Sequence, residues 1–402
     1  MSIIRNLTLE IEKHLQEDEV ILIAGARQAG KTTLLHQLEE AIKTRGNICH
    51  FLNLEDPEFL SLLNESPKNL LKIFSFDLSQ KNFVLIDEIQ YLKDPTNFLK
   101  YFYDEYGGKI KIIATGSSVF YLDRKFKDSL VGRKKIFNLF TLSFREFLKF
   151  KNEGTLSEGN FNNLSISEKE KIKLYYREYI IYGGYPKVAL APVTEKEDVL
   201  KDIAYSYIKK DIFEANIRQE DIFYKLFKIL ASQTGNLVNS SELASTLGVS
   251  RTAVEDYLYI MQKSFHIRLI SPFYANLRKE ITKMPKVYFL DLGLRNFLFK
   301  NFKPLEQRED NGQILENALF RQFLENYDFE EIKFWRTAQK QEVDFVIKGS
   351  RAFEVKANPE KFKKNKYKAF FGNYPQIEFF IASFDCQKEK IDGIPIVEIW
   401  RE

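Results

Sequence analysis

The sequence predicts a multidomain α/β protein, and three observations support this fold class. The chain has 402 residues, more than a typical single domain contains. Up to residue 145, short runs that are apolar on both faces alternate with amphipathic helical stretches, which favours a parallel sheet with crossover helices. Mainly helical segments follow, with a polar stretch at 152–165 that we expect to be a surface loop. Strand-like runs return near the carboxyl end, after a polar, proline-containing stretch at 302–312 that we expect to be a linker. We therefore predict four domains, at residues 1–145, 146–233, 234–301 and 302–402.

The composition restricts the class of protein. Hydrophobic residues make up 44% and charged residues 29%, as in an ordinary globular protein. The net charge of +4 excludes a bulk polycation and leaves only local basic patches. Cys49 and Cys386 have no disulfide or metal spacing, and no apolar run reaches the ~18 residues that span a bilayer. We expect a cytoplasmic protein without a membrane partner.

The segment GARQAGKT at residues 25–32 fits the pattern G-x-x-x-x-G-K-[ST] between an apolar run and a predicted helix. In such a P-loop, backbone N–H groups surround phosphates and the helix N-terminus adds a positive field. We predict ATP binding, with Lys31 at the β and γ phosphates and Thr32 on Mg²⁺. The predicted nucleotide-binding residues are Gly25, Ala26, Arg27, Gln28, Ala29, Gly30, Lys31, Thr32 and Thr33.

Two further strands add residues suited to ATP hydrolysis. FVLIDE, at 83–88, ends in Asp87, which would hold Mg²⁺, and Glu88, which would polarise the attacking water. The run at 110–118 ends in small polar residues that either sense the γ-phosphate or simply cap the strand. These candidate sensors are Thr115, Ser117 and Ser118.

Arg133 follows a glycine in SLVGRKK. An arginine at this place is either a finger on the nucleotide of a neighbouring subunit, which requires a homo-oligomer, or part of a solvated basic turn. Spacing alone does not decide between these interpretations.

Several segments in order resemble prokaryotic AAA+ ATPases of the AAA_14 type that carry a C-terminal DUF4143 domain. They are GARQAGKTTLL, FVLIDEIQ, IIATGSS, SLVGR, LSFREFL and YGGYPKV. The resemblance covers essentially the whole chain. It implies an AAA+ core and a helical lid, in which Tyr182–Pro186 begins the part near the nucleotide. No arginine lies inside YGGYPK, so a second sensor is either Lys187 or a residue elsewhere.

Residues 236–261 have the apolar spacing of two helices packed across a turn at Gly248. This unit resembles a winged helix-turn-helix, with the wing between 267 and 289. It either contacts DNA or acts as a structural or protein-binding module, and the acidic Glu255 and Asp256 on the second helix favour the latter. The candidate DNA contacts are Arg251, Thr252, Arg278, Lys279 and Lys283.

Acidic residues near the carboxyl end form a second candidate site. Glu316 lies on a predicted helix and Asp344 on a strand, while Glu354 and Lys356 alternate along the next strand and so share a face. The carboxylates of Asp344 and Glu354 would bind a divalent cation, and Lys356 would position or activate water. On spacing alone, solvated strand ends are the simpler interpretation, but the preceding Glu316 favours a site.

This pattern resembles the restriction-endonuclease-like PD-(D/E)XK core, with Val343 where the motif has proline. Relatives of that fold include nucleases and domains that only bind. The lysines that follow form either a track for a phosphate backbone or a solvated face. Together with Lys356 they are Lys361, Lys363, Lys364, Lys366 and Lys368.

Three hypotheses on function follow. In the first, a Mg²⁺-dependent ATPase is coupled to DNA binding or processing through the nuclease-like domain, with Glu316, Asp344, Glu354 and Lys356 catalytic. In the second, a non-cleaving ATP switch binds nucleic acid or a protein partner through its winged-helix or C-terminal domain. The third, a purely structural protein, requires the P-loop to be inert.

Overall fold

The computed structural model describes residues 3–116, 130, 132–274, 280 and 283–402. They form two compact units: the first contains residues 1–141 and 263–265, and the second contains 142–262 and 266–402. The division into four domains stays a prediction.

The described residues of the first unit contain a five-stranded parallel sheet in the order β2-β3-β4-β1-β5. β1, β3 and β4 are buried along their whole length, as their uninterrupted apolar runs predict. The predicted parallel P-loop sheet is therefore confirmed. The strands are β1 (Val20–Gly25), β2 (Ile48–Asn53), β3 (Asn82–Asp87), β4 (Ile110–Gly116) and β5 (Lys134–Leu139).

β5, which was not predicted from the sequence, pairs with β1 along its whole length. Its sequence, KKIFNL, begins with two half-buried lysines, and only two of its six residues are buried. It therefore lacks the apolar run that identifies the inner strands. The helices of this unit are α1 (Asn6–Glu12), α2 (Lys31–Thr44), α3 (Pro57–Glu65), α4 (Leu70–Ile73) and α5 (Pro95–Tyr106).

The second unit begins with helices. Its first seven are α6 (Phe144–Phe150), α7 (Gly154–Glu158), α8 (Ile166–Tyr182), α9 (Pro186–Leu190), α10 (Lys196–Glu214), α11 (Glu220–Ser232) and α12 (Ser240–Leu247). The stretch 152–165, which we expected to be a surface loop, contains the short helix α7. The buried Leu156 anchors it.

α12 and α13 (Arg251–Lys263) are joined across Gly248, whose left-handed φ of 69° suits a residue without a side chain. β6 (Ile267–Ile270) and β7 (Lys286–Phe289) then pair antiparallel. Two helices across a tight turn, followed by this strand pair, match the predicted order of elements. α14 (Leu292–Phe299) follows β7.

The predicted linker at 302–312 is a packed segment. Arg308 and Arg295 are both buried and both contact the carboxylate of Asp310, and Arg308 also donates to the Asn296 side chain at 2.9 Å. A buried ion pair requires partners on every side, so this segment is part of the folded unit. The sequence prediction rested on its polar composition, which does not distinguish exposed from paired charges.

The carboxyl-terminal residues form a six-stranded mixed sheet in the order β12-β13-β11-β10-β9-β8. It consists of β8 (Ile332–Arg336), β9 (Glu342–Ile347), β10 (Arg351–Val355), β11 (Glu378–Ser383), β12 (Lys390–Ile391) and β13 (Ile394–Glu398), with α15 (Asn311–Phe323) before it and α16 (Lys368–Asn373) before β11. None of the described helices has the length and apolar character needed to cross a bilayer.

Candidate functional site

The P-loop connects β1 to α2, at the carboxyl edge of the parallel sheet. Gln28 and Gly30 adopt positive φ angles of 58° and 99°, which turn the chain back on itself. Gly30 is the N-cap of α2, so no side chain caps the first turn. The Nζ atom of Lys31 donates to the carbonyls of Gly25 and Ala26 at 3.0 and 3.1 Å. The loop thus presents backbone N–H groups and one ammonium, which suits an anion.

The first glycine of the loop packs closely against β5. A Cβ atom at Gly25 would lie 2.3 Å from the carbonyl oxygen of Leu139, well inside van der Waals contact. β1 and β5 can therefore approach at this point because residue 25 has no side chain. Within the motif, Ala26, Arg27, Ala29 and Lys31 are buried, whereas Gln28, Thr32 and Thr33 are exposed.

Asp87, at the end of β3, connects the P-loop to the next strand. The Thr32 hydroxyl donates to its Oδ2 atom at 2.6 Å, and the Thr115 hydroxyl donates to Oδ1. Mg²⁺ prefers such oxygen ligands, and Thr32 and Asp87 supply them side by side, so these residues fit the ion. The structure thus brings together the two residues that the sequence assigned to Mg²⁺.

Glu88 leaves the strand at a sharp angle because its backbone is left-handed, with φ 57° and ψ 49°. Its N–H donates to the Thr115 hydroxyl at 3.1 Å, and its carboxylate accepts from the Gln90 side chain. Left-handed backbone in a residue other than glycine is uncommon and costs roughly 1–3 kcal/mol, so it marks a position that its surroundings fix. Thr115 therefore holds both adjacent acids.

The other sensor candidates, Ser117 and Ser118, lie outside the described residues, as do Arg278 and Lys279 of the predicted wing. Arg133 is described and precedes β5. Its carbonyl accepts from Val20, at the start of β1, so it lies at the sheet edge opposite the P-loop of its own chain. Its side chain forms an ion pair with Asp104 at 2.9 Å. A role for Arg133 on a neighbour's nucleotide stays a prediction.

Arg5 is a residue of this site that the sequence analysis missed. This buried arginine precedes α1 and donates to the P-loop carbonyl of Ala29 at 2.6 Å and to the carbonyl of Phe140 at 2.9 Å. Nearby, Gln37 of α2 accepts from the Thr8 hydroxyl at 2.8 Å. No local pattern marks Arg5, because it lies 24 residues before its loop partner.

The second unit contains the predicted acidic cluster. Three of its acids contact the buried Lys286: Glu316 of α15, and Glu342 and Asp344 of β9. Lys286 Nζ lies 2.7 Å from Glu342, 2.9 Å from Glu316 and 3.5 Å from Asp344. Glu354 pairs with Lys356, as their alternate spacing predicts.

Burial dominates the electrostatics of this cluster. It raises the pKa of Glu316 to about 7 and that of Glu354 to about 8, and the charge of Asp344 adds to both. Burial opposes the charge of Lys286, but Glu316, Asp344 and Glu342 outweigh it and raise the lysine's pKa. Lys286 therefore remains an ammonium. No signal in the sequence associated it with the acids, because it precedes Glu316 by 30 residues.

The predicted metal ligands Asp344 and Glu354 are both engaged by N–H donors. Asp344 Oδ2 accepts from the backbone of Val355 at 2.8 Å, and Glu354 accepts from Lys356. The described ranges contain no group of three or more acidic, histidine or cysteine side chains arranged to hold a metal ion. These contacts do not fit a divalent cation bound by Asp344 and Glu354.

In the helix-turn-helix unit, Arg251 and Thr252 are exposed at the start of α13. Arg251 pairs with Glu255 one turn later at 2.7 Å. Glu255, which argues against DNA contact, is thus the partner of Arg251, a candidate DNA contact. Lys283 is exposed.

The glycines of YGGYP have a packing role. Gly183 and Gly184 follow α8, and the Gly184 N–H donates to Asp291 at 2.9 Å. A Cβ atom at Gly293 of α14 would lie 2.0 Å from the carbonyl oxygen of Tyr182. Adjacent glycines thus permit close approach of α8 and α14.

Comparisons with known proteins agree with this arrangement. Residues 17–148 match a family model described as an AAA domain, and residues 173–305 and 311–388 match two domains of unknown function, DUF8612 and DUF4143. An uncharacterized protein of Methanocaldococcus jannaschii is 28% identical over 372 residues, covering 89% of this chain and 78% of its own. One of Haemophilus influenzae is 25% identical over 404 residues, covering 95% and 93%.

Among solved structures, the replication initiator DnaA bound to AMPPCP and single-stranded DNA is 17% identical with a TM-score of 0.29, covering 65% of this chain and 89% of its own. PCH-2 of C. elegans is 17% identical with a TM-score of 0.32, covering 63% and 65%. Likeness at this level carries no argument about function. The parallel sheet and the P-loop agree with the match of residues 17–148 to the AAA domain model, and they fit a P-loop α/β domain.

Proposed function

We propose that the amino-terminal unit binds ATP with Mg²⁺ and hydrolyses it. The observation that carries this proposal is the hydrogen-bonded chain from Thr32 through Asp87 to Thr115, which begins on the P-loop helix and ends beside Glu88. A chance glycine turn would not align the first helical hydroxyl with a buried aspartate of the neighbouring strand.

Each residue has a distinct task in this proposal. The P-loop N–H groups and Lys31 bind the phosphates, and Thr32 and Asp87 hold Mg²⁺, which neutralises developing phosphate charge. Glu88 accepts the proton of the attacking water. Thr115 fixes the relative positions of Asp87 and Glu88, because its hydroxyl bonds to both residues.

The test is ATP hydrolysis by wild type, Lys31→Ala and Glu88→Gln. We expect Lys31→Ala to lose ATP binding, and Glu88→Gln to bind ATP but turn it over at least about 100-fold more slowly, the scale of general-base catalysis. Lys43→Ala, which removes a lysine from the exposed end of the same helix, is the matched control and should behave as wild type. Equal turnover by Glu88→Gln and wild type would rule out the assigned base.

We further propose that ATP binding controls the second unit, which binds nucleic acid or a protein partner. Five of the six lysines of the predicted track, those between 361 and 368, are exposed, as contact with a phosphate backbone requires, whereas Lys356 is half-buried and pairs with Glu354. Retention on single- and double-stranded DNA at rising salt, with and without ATP, tests this. A steep loss of binding with salt indicates phosphate contacts. Absence of DNA retention, even at the lowest salt concentration, favours a protein partner.

The competing proposal is a nuclease that uses Glu316, Asp344, Glu354 and Lys356. It is supported by the placement of all four around one edge of the β9–β10 pair. Cleavage of DNA with Mg²⁺ or Mn²⁺ and ATP, abolished by Glu354→Ala, would establish it. The ammonium of Lys286, which lies among three acids of this cluster, argues against cleavage.

A further inference from the structure

Lys286 occupies the centre of the acidic cluster. Only 2% of its side chain is exposed, and its ammonium lies within 3.5 Å of three carboxylates on two different elements. An ammonium has three N–H donors, so each carboxylate can receive one. The centre of these acids is therefore already filled by a positive group.

The position of this ammonium is fixed by its own strand. Lys286 is the first residue of β7, and the backbone beside it is held by the hydrogen bond from Val238 to Pro285 at 2.8 Å and by a bridge to Leu237. Its Nζ also lies 5.6 Å from the centre of the Phe334 ring. A side chain with so little exposure cannot turn into solvent without breaking these contacts.

The charges around the cluster are nearly balanced. Three cations, Lys286, Lys356 and Arg336, pair with its acids. Against three positive charges stand four carboxylates when all are ionised, which leaves a single net negative charge. A divalent ion would convert this small excess into a positive one in a largely buried place. The four carboxylates are those of Glu316, Glu342, Asp344 and Glu354.

Both oxygen atoms of Asp344 have donors, and so does one oxygen of Glu316. Asp344 offers one oxygen to Lys286 and the other to the Val355 N–H, and the Tyr288 hydroxyl donates to the same Glu316 oxygen as Lys286. Mg²⁺ requires oxygen ligands at about 2.0–2.1 Å in near-octahedral geometry. An ion at that distance from Glu316 and Asp344 would meet the ammonium at close range and be repelled by it.

We propose that Lys286 is the resident cation of this cluster, in the place that the sequence pattern assigns to a divalent metal. The cluster then binds no divalent ion, and the domain serves to bind a partner rather than to cleave nucleic acid. The acids and the lysine together join β7 to the six-stranded sheet. This inference does not depend on ATP hydrolysis, and its test contains no nucleotide.

The test is Mn²⁺ binding by the 402-residue chain, measured through the electron paramagnetic resonance signal of the free ion. We expect Lys286→Ala to bind Mn²⁺ at least tenfold more tightly than wild type, because it frees three carboxylates around a cavity. The gain should vanish in Lys286→Ala/Asp344→Asn. Lys348→Ala is the matched control: it removes a half-exposed lysine at the end of β9, paired with Glu331 outside the cluster, and should show no gain.

Two results would overturn the proposal. One is a folded Lys286→Ala variant with no gain in Mn²⁺ affinity. The other is Mn²⁺ binding by wild type that Asp344→Asn weakens tenfold or more. Comparing Mn²⁺ binding by wild type and Asp344→Asn tests the proposal even where Lys286→Ala fails to fold. The amide introduced by Asp344→Asn keeps an acceptor for the Val355 N–H and leaves Lys286 in place. Equal Mn²⁺ binding by wild type and Asp344→Asn supports the proposal.

Discussion

Thr115 is the most informative position for substitution in the amino-terminal unit. Its hydroxyl is fully buried, donates to Asp87 and accepts from the Glu88 N–H. Thr115→Val keeps the shape of the side chain but removes both hydrogen bonds. Val is therefore the substitution that separates the hydroxyl's contribution from packing.

The magnitude follows from these two contacts. A hydrogen bond to a charged group contributes roughly 1.5–3 kcal/mol, and a buried N–H left without an acceptor costs roughly 1–3 kcal/mol. Because the loop can relax around Glu88, we expect a loss of about 3 kcal/mol in the free energy of unfolding. Displacement of both acids should also lower ATP turnover by about 100-fold, the usual range for a misplaced general base.

The assay combines urea denaturation with steady-state ATP hydrolysis. Thr115→Ser is the control, since it retains the hydroxyl and should lose no more than about 1 kcal/mol for the buried methyl group. Thr115→Val with the stability and turnover of Thr115→Ser would refute the bridging role. Loss of stability in both variants alike, with turnover intact, would indicate that Thr115 only packs.

Three further predictions concern other positions. Arg5→Ala should weaken ATP binding about tenfold in a fluorescence titration, because it removes a charge-assisted hydrogen bond of about 1.5 kcal/mol to the P-loop carbonyl of Ala29, and unchanged affinity would contradict this. Gly293→Ala should lower the free energy of unfolding by about 3 kcal/mol, because the added Cβ meets a backbone carbonyl. Gly312, a helical glycine with open space around it, is the control, and Gly312→Ala should raise the free energy of unfolding by up to about 1 kcal/mol. Equal effects of the two substitutions in a denaturant titration would refute the close packing at Gly293. Arg133→Ala should change stability by less than about 1 kcal/mol, since its ion pair is partly exposed, yet lower turnover at high protein concentration, and concentration-independent turnover in wild type would exclude the trans role.

The predictable parts of the site are those whose residues lie close together in the sequence. The P-loop, the end of β3 and the end of β4 each carry a strand and its functional residue within ten positions, so period and motif identify them together. Glu354 and Lys356 were likewise paired by strand alternation. β5 was missed because its lysines interrupt the apolar pattern, and the linker because paired charges look like solvated ones.

The residues that could not be predicted act across long separations. Arg5 reaches the P-loop from the start of the chain, and Lys286 reaches acids that follow it by 30 residues and more. Each is a single charge without a surrounding motif. Their roles depend on where the fold brings their carbon chains, and only the three-dimensional structure supplies that information.

Lys286 lies on β7, upstream of the four acids, and this position limits where the chain can be cut into stable fragments. A fragment of residues 302–402, or one cut at the DUF4143 boundary near residue 311, keeps all four acids but loses the strand that supplies their central cation. An uncompensated buried charge typically costs 3–5 kcal/mol, about as much as the whole stability of a marginal domain. We therefore expect that the segment matching DUF4143 is smaller than the segment that folds by itself, and that a stable fragment must begin upstream of β7.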